Sequence, residues 1–220
     1  MSVRHNDFLL ANLNHSARAQ DLLMQHMAEW QIKVVTATEP YFIPPQPNWA
    51  GDTEGSVAIV VPGHGVPLVP IRNGPGFVAV GWGEVILIGV YFSPNRPLSD
   101  FESYLRMLEP VVRGAAPAQV ILMGDLNAKS AAWGSPITDL RGVELQSWAA
   151  MVGLVLLNRG RVNTCVRQQG GSIAPSRPEG SILVVTGNCG SPGRQQSGAP
   201  GLHPLPPQET AVWARSNSPL

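Results

Sequence analysis

Val120-Ile121-Leu122-Met123-Gly124-Asp125-Leu126-Asn127 is an apolar run that stops at a glycine and then sets an acid and an amide two residues apart. Four consecutive apolar side chains suit a strand covered on both faces, the pattern of a sheet inside an α/β protein. Gly124 allows another backbone to approach closely. The period-2 alternation of a strand places Asp125 and Asn127 on one face at its end, where they can orient a water and a phosphate oxygen. The same residues also fit a plain strand followed by an Asp/Asn turn, so the rest of the chain has to separate the two readings.

Upstream of this run the pattern alternates between strands and helices. Residues 7–13 read as an opening strand, and Ser16 can cap a helix whose Ala19, Leu23, Met27 and Trp30 recur at helical spacing. Residues 32–37 form a second strand, stopped by Pro40, so that Glu39 stands at its C-terminal end. Three more strands are predicted over 56–61, 77–81 and 85–92, and Gly74-Pro75-Gly76 and Gly81-Trp82-Gly83 read as hairpin turns between them. Neither glycine cluster opens a helix after a strand, as a nucleotide fingerprint requires. Ser99 with Glu102 makes a capping box for a helix that buries Phe101, Leu105, Leu108 and Val112. Downstream, a helix over 140–152 closed by Gly153 leads into a strand at 154–157, and a last strand is predicted over 181–186. From residue 187 the chain is rich in Gly, Pro and Ser and has no apolar periodicity. The reading is one α/β or α+β domain over 1–186 and a disordered tail over 187–220.

Composition narrows the function classes. Charged residues make up 14% of the 220 positions, and 15 Lys and Arg balance 15 Asp and Glu. No global basic field marks a nucleic-acid binder, and such contacts would need local groups such as Arg159 with Arg161. Cys165 and Cys189 have neither metal-ligand spacing nor a disulfide framework, which fits a reducing compartment. The longest apolar stretch, 85–92, is far below the ~20 residues of a membrane span. With no signal peptide evident, the expectation is a soluble intracellular protein, nuclear or cytoplasmic.

Asn12, Glu39, Tyr91, Asp125 and Asn127 all fall at strand ends. A layered sheet can gather them at one rim, although each alone also has an ordinary structural reading. Glu39 is a hard oxygen ligand of the kind Mg²⁺ takes one or two of, leaving room for water and phosphate oxygens. Asp125 can hold or deprotonate an attacking water. Asn12, Asn127 and Tyr91 can donate to a phosphate oxygen and stabilise charge growing in the transition state. The chemistry expected of this set is phosphodiester hydrolysis.

The chain resembles the endonuclease/exonuclease/phosphatase superfamily, most closely the apurinic-endonuclease-like domain of non-LTR retrotransposons. The resemblance rests on Ala11-Asn12-Leu13-Asn14 followed by Ala19-Gln20-Asp21-Leu22-Leu23, on Thr38-Glu39-Pro40-Tyr41, on Tyr91-Phe92-Ser93-Pro94-Asn95, and on Gly124-Asp125-Leu126-Asn127-Ala128-Lys129 with Trp133-Gly134-Ser135. It spans roughly residues 5 to 183. It implies a four-layer α/β sandwich of two packed mixed sheets flanked by helices. It also implies a Mg²⁺-dependent nick in DNA, with Mn²⁺ as the alternative cation, whose free 3′ hydroxyl primes a downstream reverse transcriptase domain absent from this chain. Position by position, the phosphate-binding asparagine falls on Asn12, with Asn14 as a second register. The metal-binding glutamate falls on Glu39, the tyrosine on Tyr91, and the Asp/Asn pair on Asp125 and Asn127.

The departures lie at the C-terminal side. Where the resemblance expects an aspartate two residues beyond Ile182, the chain has Val184, and the following Ser-Asp-His motif is absent. The histidines are His5, His15, His26, His64 and His203, and His203 has no neighbouring carboxylate. Such a loss suggests a truncated or frame-shifted copy. Its consequences would be a missing last strand, an unpaired sheet edge and impaired catalysis, since one lost charge-stabilising donor commonly costs on the order of 10²–10³ in rate. The alternatives are a non-catalytic remnant that binds nucleic acid or protein, and a sister phosphomonoester or lipid phosphatase, less well matched in the Glu-Pro-Tyr and Ser-Pro-Asn contexts. Pro204 to Pro207 offers a weak polyproline signal.

Overall fold

The computed structural model of the chain describes residues 6–156 and, as backbone, the segments Ile182–Gly187 and Ala211–Ser216. Its elements are β1 (Asn6–Asn12), α1 (Ala17–Glu29), β2 (Val34–Thr38), β3 (Trp49–Gly51), β4 (Val57–Val60), β5 (Val69–Gly74), β6 (Phe77–Trp82), β7 (Val85–Tyr91), α2 (Leu98–Arg113), β8 (Gln119–Asp125), α3 (Leu140–Met151), β9 (Leu154–Leu156), β10 (Ile182–Gly187) and β11 (Ala211–Ser216). A single 3₁₀ turn covers Ala131–Trp133.

The strands form two mixed sheets, ordered β11-β1-β2-β4-β3 and β5-β6-β7-β8-β10-β9. Each has one parallel pair, β1 with β2 and β7 with β8, and antiparallel neighbours elsewhere. Three apolar cores separate four layers. Leu23 and Met27 of α1 pack with Leu9, Val35, Ala37, Ala58 and Val60 on the outer face of the first sheet. Phe8, Val34, Val57 and Ile59 meet Val78, Val80, Leu87, Ile121 and Met123 between the sheets. Phe101, Leu105, Leu108 and Val112 of α2 and Leu145 and Trp148 of α3 cover the far face of the second sheet, with Phe92, Val120 and Leu122. This is the α/β/β/α sandwich that the family resemblance implies. The run in β8 is apolar on both faces because alternate residues serve two different cores.

Local signals decide most boundaries. Ser16 caps α1, its hydroxyl accepting from the Ala19 amide at 3.2 Å, and Asp139 caps α3 through Gly142 at 2.7 Å. Pro75-Gly76 joins β5 to β6 as predicted, but the turn expected at Gly81-Trp82-Gly83 falls at Gly83-Glu84, because Gly81 and Trp82 pair with β7 inside β6; φ is positive at both Gly76 and Gly83. The capping box at Ser99 and Glu102 is not formed. Helix α2 starts two residues earlier than that cap would place it, with Pro97 at the cap and no side-chain cap bond. Pro97 has the extended backbone that proline favours and that a cap position requires, φ −70° and ψ 165°, and Ser99 is thereby carried inside the first turn.

Three strands go beyond the sequence reading. β3 has only three residues. β5 contains Pro70 and a register shift between Pro70 and Arg72, features tolerated because it lies at a sheet edge. β11 pairs antiparallel with β1, Ala211 opposite Ala11, along the edge expected to stay unpaired and within the stretch expected to stay unfolded. Arg159, Arg161, His203, Gly170-Gly171 and Pro204 to Pro207 lie outside the described residues.

Gly124 shows why the β7–β8 pair requires glycine. A Cβ there would lie 1.7 Å from the Val90 carbonyl oxygen and 2.6 Å from its carbonyl carbon. Both obstructing atoms are backbone, so the strands must separate to admit a methyl group. Gly124→Ala is therefore expected to lower stability by at least about 3 kcal/mol, read from urea denaturation. A loss below about 1 kcal/mol would show that the strands are not in close contact.

Candidate active site

The two parallel pairs place their C-terminal ends together. In the first sheet Asn12 is opposite Thr38, and the next residue is Glu39. In the second, Tyr91 is opposite Asp125. Stacking the sheets brings these ends face to face, where clefts at the carboxyl ends of strands commonly bind ligands. Two side-chain bonds cross the gap: Asn12 Nδ2 donates to Asp125 Oδ2 at 3.4 Å, and the Tyr91 hydroxyl donates to Glu39 Oε1 at 2.6 Å.

Glu39 and Asn127 both have left-handed backbones, with φ of 49° and 46°. Such a conformation costs a non-glycine residue on the order of 1 kcal/mol and persists where neighbours enforce it. The Glu39 amide donates to Ser56 O at 2.8 Å, and its carbonyl accepts from the His15 amide at 2.8 Å. The Asn127 amide donates to Asp125 Oδ1 at 3.0 Å, and its side-chain amide donates to Phe92 O at 3.0 Å. The strand alternation expected to carry Asn127 stops short of it. β8 ends at Asp125, so Asn127 is brought beside the acid by an Asx-type turn and not by strand alternation.

A cleft of about 760 Å³ receives Asn12, Glu39, Tyr91, Asp125 and Asn127 together. All five residues singled out from the sequence line it. Asn14 lines it too, but its amide donates to Asn12 Oδ1 at 2.9 Å, so it supports Asn12, which is the asparagine bonded to Asp125. Lys129 and Asn95 complete the polar rim.

Burial sets the electrostatics. Asp125 is only 5% exposed, and desolvation raises its pKa to about 6. The bonds from the Asn127 backbone and Asn12 oppose that rise, and the Glu39 charge adds to it. Burial first, then the bond to Glu39 and the charges of Glu39 and Asp125, pushes the Tyr91 hydroxyl well above its usual range. Tyr91 is thus held as a donor at neutral pH.

Two contributors escaped the sequence reading. Arg141, in the first turn of α3, donates to the carbonyls of Ser93 and Asn127 at 3.3 Å and Pro94 at 3.1 Å, and also to that of Arg96. Its guanidinium lies over Phe92, 5.1 Å from the ring centre. Although it lines the cleft, it ties the loops after β7 and β8 together and is not a free anion ligand. Only the fold brings positions 93 and 141 together, so no local signal could reveal it. His15 is the second, with Nδ1 3.3 Å from Pro40 O and Nε2 4.0 Å from Glu39 Oε1. Trp133 is structural, donating to Ala128 O at 3.0 Å. Position 184 lies on β10 opposite Met123, two residues along from Ile182, which pairs with Asp125.

Among the described residues no three His, Cys, Asp or Glu side chains cluster to cage an ion. Glu39, Asp125 and Asn12 nevertheless line one open cleft, and their oxygens make a donor set suited to a hard cation that keeps most of its water.

The family described as Endonuclease-reverse transcriptase matches residues 85–174. No curated protein matches the sequence. Among solved structures, the chain is similar to the endonuclease domain of TRAS1, a telomere-specific non-LTR retrotransposon, with TM-score 0.69 and 27% identity over 84% of this chain and 85% of that one. It is also similar to a 3′ phosphatase from Neisseria bound to a product DNA hairpin, with TM-score 0.62 and 16% identity over 95% and 98% of the two chains. A 3′-5′ exonuclease from Neisseria meningitidis aligns with TM-score 0.56 and 18% identity over 81% and 86%. The last two likenesses concern the fold alone. Among the described residues no helix is long and apolar enough to cross a membrane.

Asp125 yields a test that needs no substrate. In metal-free protein the folded state holds the Asp125 proton more tightly than the unfolded chain. Its contribution therefore favours folding at low pH and is lost as pH rises from about 4 through about 6. Asp125→Asn removes that penalty and is expected to stabilise the protein at pH 8 by about 1–3 kcal/mol, the gain vanishing below about pH 4. Denaturation curves across that range check it, and a gain independent of pH would contradict the burial argument.

Proposed function

We propose that the chain is a member of the endonuclease/exonuclease/phosphatase superfamily and, within it, a retrotransposon-derived Mg²⁺-dependent DNA endonuclease domain of reduced catalytic power. The observation that carries the reading is the convergence of Asn12, Glu39, Tyr91, Asp125 and Asn127 on one cleft from four different strands and their following turns. The likeness to the retrotransposon endonuclease domain supports the choice of branch.

In this reading Glu39, with the oxygens of Asn12 and Asp125, holds a divalent cation. A bound Mg²⁺ supplies positive charge for the phosphate oxygens. Asp125 accepts the proton of the attacking water, as its raised basicity suits. Asn12 and Asn127 donate to the phosphate oxygens, and Asn127 is preset by its two anchoring bonds. Tyr91 donates its one hydroxyl proton to Glu39 and so fixes that carboxylate. Water oxygen bonds to phosphorus, the P–O3′ bond breaks, and the 3′ oxygen takes up a proton to leave a 3′ hydroxyl and a 5′ phosphate. The histidine that stabilises this step in the resembling domains has no matching motif here, and Val184 stands at the position expected to be aspartate. These two departures are the ground for reduced activity. They equally favour the second reading, a remnant that binds nucleic acid without cutting it, and one of the similar structures is bound to a DNA hairpin.

A nicking assay on supercoiled DNA with Mg²⁺ or Mn²⁺ separates the two. The expected result is slow nicking that falls a further 10²-fold or more in Glu39→Ala and in Asp125→Ala. Nicking that persists unchanged in both variants would remove the cleft from the chemistry. No nicking by the native chain, together with DNA affinity that falls steeply with salt, would favour the binding remnant.

A further inference from the structure

Asp52, just beyond β3, is 9% exposed and lies outside the cleft-lining set. Its carboxylate accepts four hydrogen bonds. Oδ1 takes the amides of Ser56 at 2.7 Å and Val57 at 3.2 Å. Oδ2 takes the Ser56 hydroxyl at 2.8 Å and the Gly76 amide at 2.9 Å. The first three close Asp52's own hairpin in the first sheet. The fourth reaches the β5–β6 turn of the second sheet, and local turn-building does not require it.

Both anchored residues lead directly to the cleft. Ser56 O accepts the Glu39 amide at 2.8 Å, which helps hold that residue in its left-handed backbone. Gly76 O accepts the Tyr91 amide at 2.8 Å and the Tyr104 hydroxyl at 2.6 Å. Gly76 is itself at φ 75°, and a Cβ there would lie 2.5 Å from Tyr91 O, so this turn presses on the Tyr91 backbone. The Tyr91 hydroxyl then returns to Glu39 Oε1 at 2.6 Å. The hydrogen bonds form a closed ring through Asp52, Ser56, Glu39, Tyr91 and Gly76 that spans both sheets.

We propose that Asp52 is a positioning residue: its carboxylate ties the backbone that carries Glu39 to the backbone that carries Tyr91, and so fixes the geometry of that pair across the two sheets. A carboxylate suits this task because its two oxygens accept in several directions at once, which an amide side chain cannot reproduce. The catalytic consequence rests on the proposed function; the mechanical claim does not.

The test is a double-mutant cycle on the full chain, with Tyr91→Phe and Glu39→Gln, read by urea denaturation without metal or DNA. It is run with Asp52 intact and with Asp52→Asn, which keeps one acceptor for Ser56 and Val57 but turns an amide NH₂ toward Gly76. The coupling between Tyr91 and Glu39 is expected with Asp52 intact and lost in Asp52→Asn. Should that variant not fold, Ser56→Ala, which frees Oδ2 from one of its two anchors, is expected to weaken the coupling in part. Undiminished coupling in whichever variant folds overturns the proposal. In the nicking assay, Asp52→Asn is expected to lower kcat roughly ten- to a hundredfold with KM for DNA unchanged. A rise in KM alone would overturn the positioning role. If the native chain nicks nothing, the functional reading fails while the coupling experiment still decides this one.

Discussion

Two hydrogen bonds across the sheet interface, from Asn12 to Asp125 and from Tyr91 to Glu39, are the contacts around which the candidate site is organised. They exist because each sheet has one parallel pair and both pairs end at the same edge of the sandwich. A one-residue slip in either pairing would turn a polar terminus into the apolar layer, where Phe8, Val34, Ile121 and Met123 pack. The register is therefore enforced by the core, and the site inherits its geometry from apolar packing. Gly124 adds a steric condition, since the strand beside it leaves no room for a side chain at the residue before Asp125.

Against this rigid frame the site itself is costly. Asp125 is a buried carboxylate whose charge is disfavoured, and Glu39 and Asn127 occupy backbone conformations that ordinary side chains avoid. Each would be unfavourable in isolation, and each is held by several independent bonds. Strain maintained in this manner and gathered in one cleft is what functional sites show, because stability alone would select against it. Asp52 and Arg141 illustrate the supporting layer, a carboxylate and a guanidinium spent almost entirely on backbone partners that carry the residues of the cleft.

The similarity to a retrotransposon endonuclease domain extends over most of both chains, so the architecture is shared well beyond the strands that bear the motifs. The departures from the pattern concern positions late in the sequence, Val184 and the missing Ser-Asp-His motif. The five cleft residues all precede position 128, and they depend on cores built before that departure. Pairing of β11 with β1 further supplies the edge of the first sheet with a partner from the Gly/Pro-rich region. The cleft and these late positions draw on different parts of the chain.

Local pattern alone was sufficient for β1, β2, β4, β6, β7 and β8, the three helices and the Pro75-Gly76 turn, since each has a local apolar pattern or local stop signals. It also placed Asn12, Glu39, Tyr91, Asp125 and Asn127 at strand ends, where elementary geometry points them to a rim. It did not reveal β3 or β5, too short or too polar to show a period, nor the start of α2, where proline competed successfully with a capping box. Which ends face one another, that Asn127 arrives through a left-handed turn, and that Asp52 and Arg141 brace the cleft were decided by tertiary structure. These are contacts between residues dozens of positions apart, and a one-dimensional pattern carries the identity of such residues but not their distance.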